Sequence, residues 1–217
     1  MEDELDSADA AEMVAEVHEG EDEGGEASRT RFRNRAALMI AVLAAVLAIS
    51  GLGGGNATDD MIHNNIKASD TWAFFQAKNM RQTAYEIAIV EIEGDLAEPG
   101  LTPERRARME QQLAEHRATI ARYESEPDPA APNDLLRGEG KRQLSAQAQA
   151  YEAARQIASE QDNSFDLAEV LLQLALVLGS VAILALNRPI LLLSGLLGLL
   201  GTLLTVNGFL LLFPLPF

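Results

Sequence analysis

The sequence predicts an all-α integral membrane protein with three transmembrane helices: one N-terminal, then a C-terminal hairpin. A helical, coiled-coil-like extramembrane domain lies between them. Three observations carry this. Val170–Asn187 and Pro189–Phe217 are apolar runs without an acidic residue, separated only by the turn Asn187-Arg188-Pro189. Ala36–Gly55 is a third apolar run. The charged stretch between them keeps a helical period throughout. A helix needs roughly 20 mostly apolar residues to cross a bilayer, and in lipid the backbone must satisfy its own hydrogen bonds. The expected organisation is an acidic tail (1–28), a basic flank (29–35), a first span (36–55), a helical domain (56–165) and two spans (166–187 and 190–213).

The tail holds twelve acidic residues and no Lys or Arg, with few residues able to build a core, and is expected to be disordered. Arg29, Arg31, Arg33 and Arg35 then abut the first apolar run. Such a flank marks the cytoplasmic side of an uncleaved signal anchor, and Arg188 marks the same side at the hairpin turn. The expected location is a bacterial inner membrane, with the N-terminus cytoplasmic and residues 56–165 outside.

Met61–Ala97 contains no proline, and Ile62, Ile66, Ser69, Ala73, Met80, Ile87 and Val90 recur at roughly 3.5-residue spacing. Glu98-Pro99-Gly100 ends that helix. Thr102-Pro103-Glu104 starts the next: a hydroxyl cap, proline in the first turn and an acid at the positive end of the dipole. Met109, Leu113, His116, Ile120 and Tyr123 form its seam, and Pro127, Pro129 and Pro132 close it. A third helix is expected from Asp134, capped by Asn133, to about Gln161, with Leu144, Ala148, Tyr151 and Ala158 on one face. Asp162-Asn163-Ser164 is expected to break or recap it before the last spans.

The net charge of −16 gives nucleic acid no electrostatic handle. With no cysteine, disulfides and thiolate chemistry are ruled out. His18, His63 and His116 are scattered without a second ligand at helical spacing, so no metal site is expected. No nucleophile elbow, Walker loop or zinc-protease motif occurs, and no enzyme activity or cofactor is expected.

The segment Ala68-Ser69-Asp70-Thr71-Trp72-Ala73-Phe74-Phe75-Gln76-Ala77-Lys78 resembles the Ser-Asp-x-Trp-Ala-aromatic-aromatic-Gln-Ala-Lys box of a bacterial family of uncharacterised membrane proteins, domain of unknown function 4337. The order of basic flank, span, box, charged helical middle and hydrophobic hairpin is similar as well, from about Arg29 onward. The resemblance implies the three-span architecture and supplies no activity.

Within the box, Asp70, Trp72, Phe74, Phe75, Gln76 and Lys78 are candidate interaction residues, with packing as the simpler role for the aromatics. Asp70 and Lys78 are two turns apart, too far to pair directly. In the spans, Gly51 and Gly55, Gly179, and Ser194, Gly198 and Thr202 form small-residue rows that let backbones approach. Those rows serve either packing within one chain or contact between copies. Gln173 and Asn207 are the strongly polar side chains deep in the apolar runs. The reading is a non-enzymatic interaction or assembly protein among membrane lipids, self-associating or bound to other membrane proteins. The alternative is a pore or transport-accessory subunit with Gln173 and Asn207 facing a lumen.

Overall fold

The computed structural model describes residues 26–215. It contains four helices: α1 (Glu2–Ala97), α2 (Pro103–Glu124), α3 (Lys141–Ala185) and α4 (Arg188–Leu210). Among the described residues there is no strand, only an isolated antiparallel bridge between Pro127 and Gly138. The expected disorder of the acidic tail falls, except for its last three residues, outside the described residues. Three helices are long and apolar enough to cross a membrane: α1, α3 and α4. At 23 residues α4 rises about 35 Å, sufficient for a hydrocarbon core of about 30 Å.

The chain divides into two compact units. One comprises the chain up to Asn56 with Glu160 onward, and the other is Ala57–Ser159. Helices α1 and α3 contribute to both.

In the first unit Leu43, Leu172 and Ala175 form the core, flanked by Met39, Val46, Leu47, Leu176 and Leu197. Phe165 is buried and meets Phe209 edge-on at 4.9 Å. The turn between α3 and α4 is as tight as expected: Leu186 takes φ 51°, and the Asn187 side chain accepts from the Ile190 N–H at 3.2 Å. Outward faces carry Leu38, Leu52, Val177, Leu184, Leu192 and Leu203, all exposed. That much apolar surface is compatible with helices that cross a membrane.

The second unit is a three-helix bundle. Helix α1 ends at Ala97, and Thr102 caps α2, its Oγ1 accepting from the Arg105 N–H at 3.3 Å. Arg117 pairs with Glu93 at 2.7 Å, and Arg106 donates to the Leu96 carbonyl at 3.2 Å, joining α1 to α2 as an antiparallel hairpin. The α2 seam is as expected: Met109 is buried, and His116 meets Tyr85 edge-on at 5.0 Å. On α3, Leu144, Ala148 and Ala158 are buried.

Two expectations are corrected. The third helix begins at Lys141 and not near Asp134. The Asp134 carboxylate instead accepts from the Leu136 N–H at 2.9 Å in a local turn, and Gly138 takes φ 108°, which no helix residue adopts. Helix α3 also runs unbroken through Asp162-Asn163-Ser164. The Ser164 hydroxyl donates to the Glu160 carbonyl one turn back at 3.0 Å, so it follows the helix instead of recapping it. The row Ile62, Ile66, Ser69, Ala73, Met80, Ile87 and Val90, whose spacing alone does not say which way it turns, faces away from the bundle. Those residues are exposed, and Ala68, Phe75, Lys78, Tyr85 and Ile89 turn toward the bundle. The inward row carries aromatic rings, which bury more area than the aliphatic and small residues opposite.

Candidate functional site

The box lies on α1 in the second unit, and helical spacing splits it between two faces. Trp72, Phe75 and Lys78 recur at three-residue steps and turn inward. Trp72 and Phe75 pack edge to face at 5.4 Å, and the indole Nε1–H donates to Glu152 Oε1 on α3 at 2.8 Å. Asp70, Phe74 and Gln76 are exposed. The six candidates therefore do not converge on one surface: Trp72, Phe75 and Lys78 turn into the bundle, Asp70 and Gln76 face solvent, and Phe74 is part-exposed with its ring beside Lys78.

Lys78 is the centre of the inward half. Its ammonium is 5.4 Å from the Phe74 ring centroid and 5.7 Å from that of Tyr123, with Glu126 Oε2 at 3.1 Å and Glu139 Oε2 at 3.9 Å. A buried cation needs this enclosure of carboxylate and ring faces, because water no longer solvates it. Lys141 repeats the arrangement at the start of α3. It pairs with Glu124 at 3.0 Å, donates to Asn79 Oδ1 at 3.2 Å and lies 6.0 Å from the Phe75 centroid. The end of α2, the linker and the start of α3 are thus all fastened to the box.

The linker's own bonds complete the clamp. Glu139 N–H donates to the Glu126 carbonyl at 2.9 Å. Buried Gln143 accepts from the Glu126 N–H and donates to Ser125 Oγ, both at 3.2 Å. Gln147 donates to the Gly138 carbonyl at 2.9 Å. Sequence reasoning missed Glu126, Glu139 and Gln143. A loop that folds back across 48 residues leaves no periodic trace, and the burial of Lys78 that calls for these partners follows only from the packed helices.

In the first unit the small-residue rows are occupied by the chain itself. A Cβ at Gly179 would meet Ile40 at 2.9 Å, and one at Gly198 would meet Leu43 at 2.6 Å. Ser194 Oγ donates to the Ala175 carbonyl at 2.6 Å, and Thr202 Oγ1 to the Gly198 carbonyl in its own helix at 2.7 Å. Gly51 lies against the Glu169 carboxylate, whereas Gly55 has open space around it. Asn207 is buried: its Nδ2 donates to Ser164 Oγ and to the Phe213 carbonyl, each at 3.1 Å, and its Oδ1 accepts from the Phe213 N–H at 3.0 Å. A lumen-facing Asn207 is incompatible with those bonds. Gln173 is exposed on α3.

The family described as Domain of unknown function (DUF4337) matches residues 32–211. The chain belongs to this family. The DUF4337 segment contains the entire box, the clamp around Lys78 and the C-terminal hairpin, and it leaves out the acidic tail. No curated protein and no solved structure matches the chain.

Proposed function

We propose that this DUF4337 protein is a non-enzymatic membrane protein whose extramembrane helices pair with a second copy of the same chain. The observation that carries this reading is the exposed row on α1. Met80 is 73% exposed and Val90 68%, and Ile62, Ile66 and Ile87 are each half exposed or more. The residues recur at coiled-coil spacing on the side of the helix opposite Lys78, Tyr85 and Ile89. An apolar row of that period in water is matched by a helix of the same period. Copies inserted with one topology present it in the same direction, so a parallel pair is in register. The span rows of Gly179 and Gly198 play no part in pairing, since Ile40 and Leu43 fill them.

In this reading the protein is multi-pass in a bacterial inner membrane, with residues 56–165 outside. Arg31, Arg35 and Arg188 line one groove, so the basic cues of the first flank and the hairpin share one end of the helices. Positive-inside placement puts that end in the cytoplasm.

The chain lacks cysteine, so single substitutions report contacts cleanly. Met80→Cys in native membranes is expected to crosslink into a dimer of the chain, while Arg81→Cys, exposed one residue off the row, is not. Monomers from both variants would sink the pairing, and a crosslink to another protein would replace the second copy by a foreign subunit.

A further inference from the structure

Arg31 and Arg35 lie one turn apart on α1, and Arg188 opens α4 beside its Asn187 cap. With Phe32, Leu191 and Leu192 they line a groove of about 550 Å³. Arg31 Nε also donates to the Ala27 carbonyl at 3.1 Å, which holds that side chain along the helix. None of the three guanidinium groups pairs with a carboxylate among the described residues. Three cations gathered without a counter-charge repel one another, and an anion placed among them removes that cost. Guanidinium forks match phosphate oxygens two at a time. The N–H groups of Ile190 and Leu191 in the first turn of α4 are already engaged, both donating to Asn187. Recognition therefore falls to the arginines. The floor is apolar, and the groove lies where the apolar helices meet their basic flank.

We propose that this groove holds the phosphate of an anionic glycerophospholipid, with the glycerol and first methylenes against Phe32, Leu191 and Leu192. The apolar floor and the position at the end of the spans favour a lipid headgroup over a soluble anion. The inference rests on the helices crossing a membrane and is independent of pairing between copies.

The test uses the full chain in detergent, offered phosphatidylglycerol or phosphatidylcholine and followed by native mass spectrometry. The wild type is expected to retain phosphatidylglycerol in preference. Arg35→Gln with Arg188→Gln should lower that retention about tenfold or more. Arg29→Gln with Arg33→Gln removes the same amount of charge, from flank positions that do not line the groove, and should leave retention near wild type. Unchanged thermal unfolding of both variants excludes loss of fold as the cause. Equal losses from the two pairs, or equal retention of the two lipids, would overturn the site in favour of general surface attraction. Displacement by inorganic phosphate would assign the groove to a soluble anion. Retention that appears only after removal of residues 1–25 would assign it to the chain's own acidic tail. The same spectra report oligomeric state, so failure of the pairing proposal is seen separately.

Discussion

Lys78 Nζ and Glu126 Oε2 lie 3.1 Å apart, and the two partners differ in their access to water: the lysine side chain is 6% exposed and the glutamate 37%. Their removal is therefore not symmetric. Glu126→Ala leaves a buried ammonium with only Glu139, at 3.9 Å, as its carboxylate neighbour. A loss of about 1–3 kcal/mol is expected, because the stranded group keeps its desolvation cost. Lys78→Met keeps the packing volume and strands only carboxylates that water can reach, so its loss should be smaller. Trp72, the single tryptophan, reports unfolding of this unit by fluorescence. A Lys78→Met variant less stable than Glu126→Ala would contradict the argument.

Gly138 and Gly100 both take positive φ, 108° and 95°, yet substitution should separate them. A Cβ at Gly138 would strike the Glu126 carbonyl and lie 2.9 Å from Pro127 Cα; both are backbone atoms that cannot swing aside. At Gly100 the space is open. Gly100→Ala should cost about 1 kcal/mol from backbone conformation alone. Gly138→Ala should cost clearly more and loosen the linker, as amide exchange at Glu139 would show.

The span rows make a similar contrast. Gly198→Leu places a branched side chain where Leu43 is already packed, and overpacking of this kind costs about 1–3 kcal/mol. Gly55→Ala meets open space in mid-helix and should be neutral or slightly stabilising. Thermal unfolding in nanodiscs, followed by helical circular dichroism, measures both. Equal effects would show that Gly198 is not a packing position.

Asn207 holds the segment after α4 by two side-chain hydrogen bonds to the Phe213 backbone, and a third ties it to Ser164 on α3. Asn207→Leu keeps much of the volume but leaves the Phe213 N–H and carbonyl without these partners. The expected result is a loss of about 1–3 kcal/mol and faster hydrogen exchange at the Phe213 amide. Exchange that stays at the wild-type rate would mean that the segment is held by other contacts.

Where a signal was local, it could be read directly. Thr102-Pro103 capped α2, Asn187-Arg188-Pro189 turned the chain between α3 and α4, and Pro99-Gly100 followed the end of α1, because each acts on backbone groups within a turn of itself. The α2 seam from Met109 to Tyr123 was equally legible, since that helix has one apolar row. The start of α3 was not. Asn133 and Asp134 look like a helix cap, but Asp134 closes a short turn, and Gly138 bends back so that Glu126 and Glu139 reach Lys78.

The sequence by itself determined the helical class, three helices long and apolar enough to cross a membrane, and the family to which the chain belongs. Those follow from composition, period and caps, which act locally and need no knowledge of neighbours. Only the tertiary structure decided which of the two rows on α1 turns inward, which members of the box stay exposed, and which partners enclose Lys78. Both rows satisfy the same helical period. The choice between them depends on the volume and charge that α2, α3 and the linker bring to each side, and those arrive from distant parts of the chain.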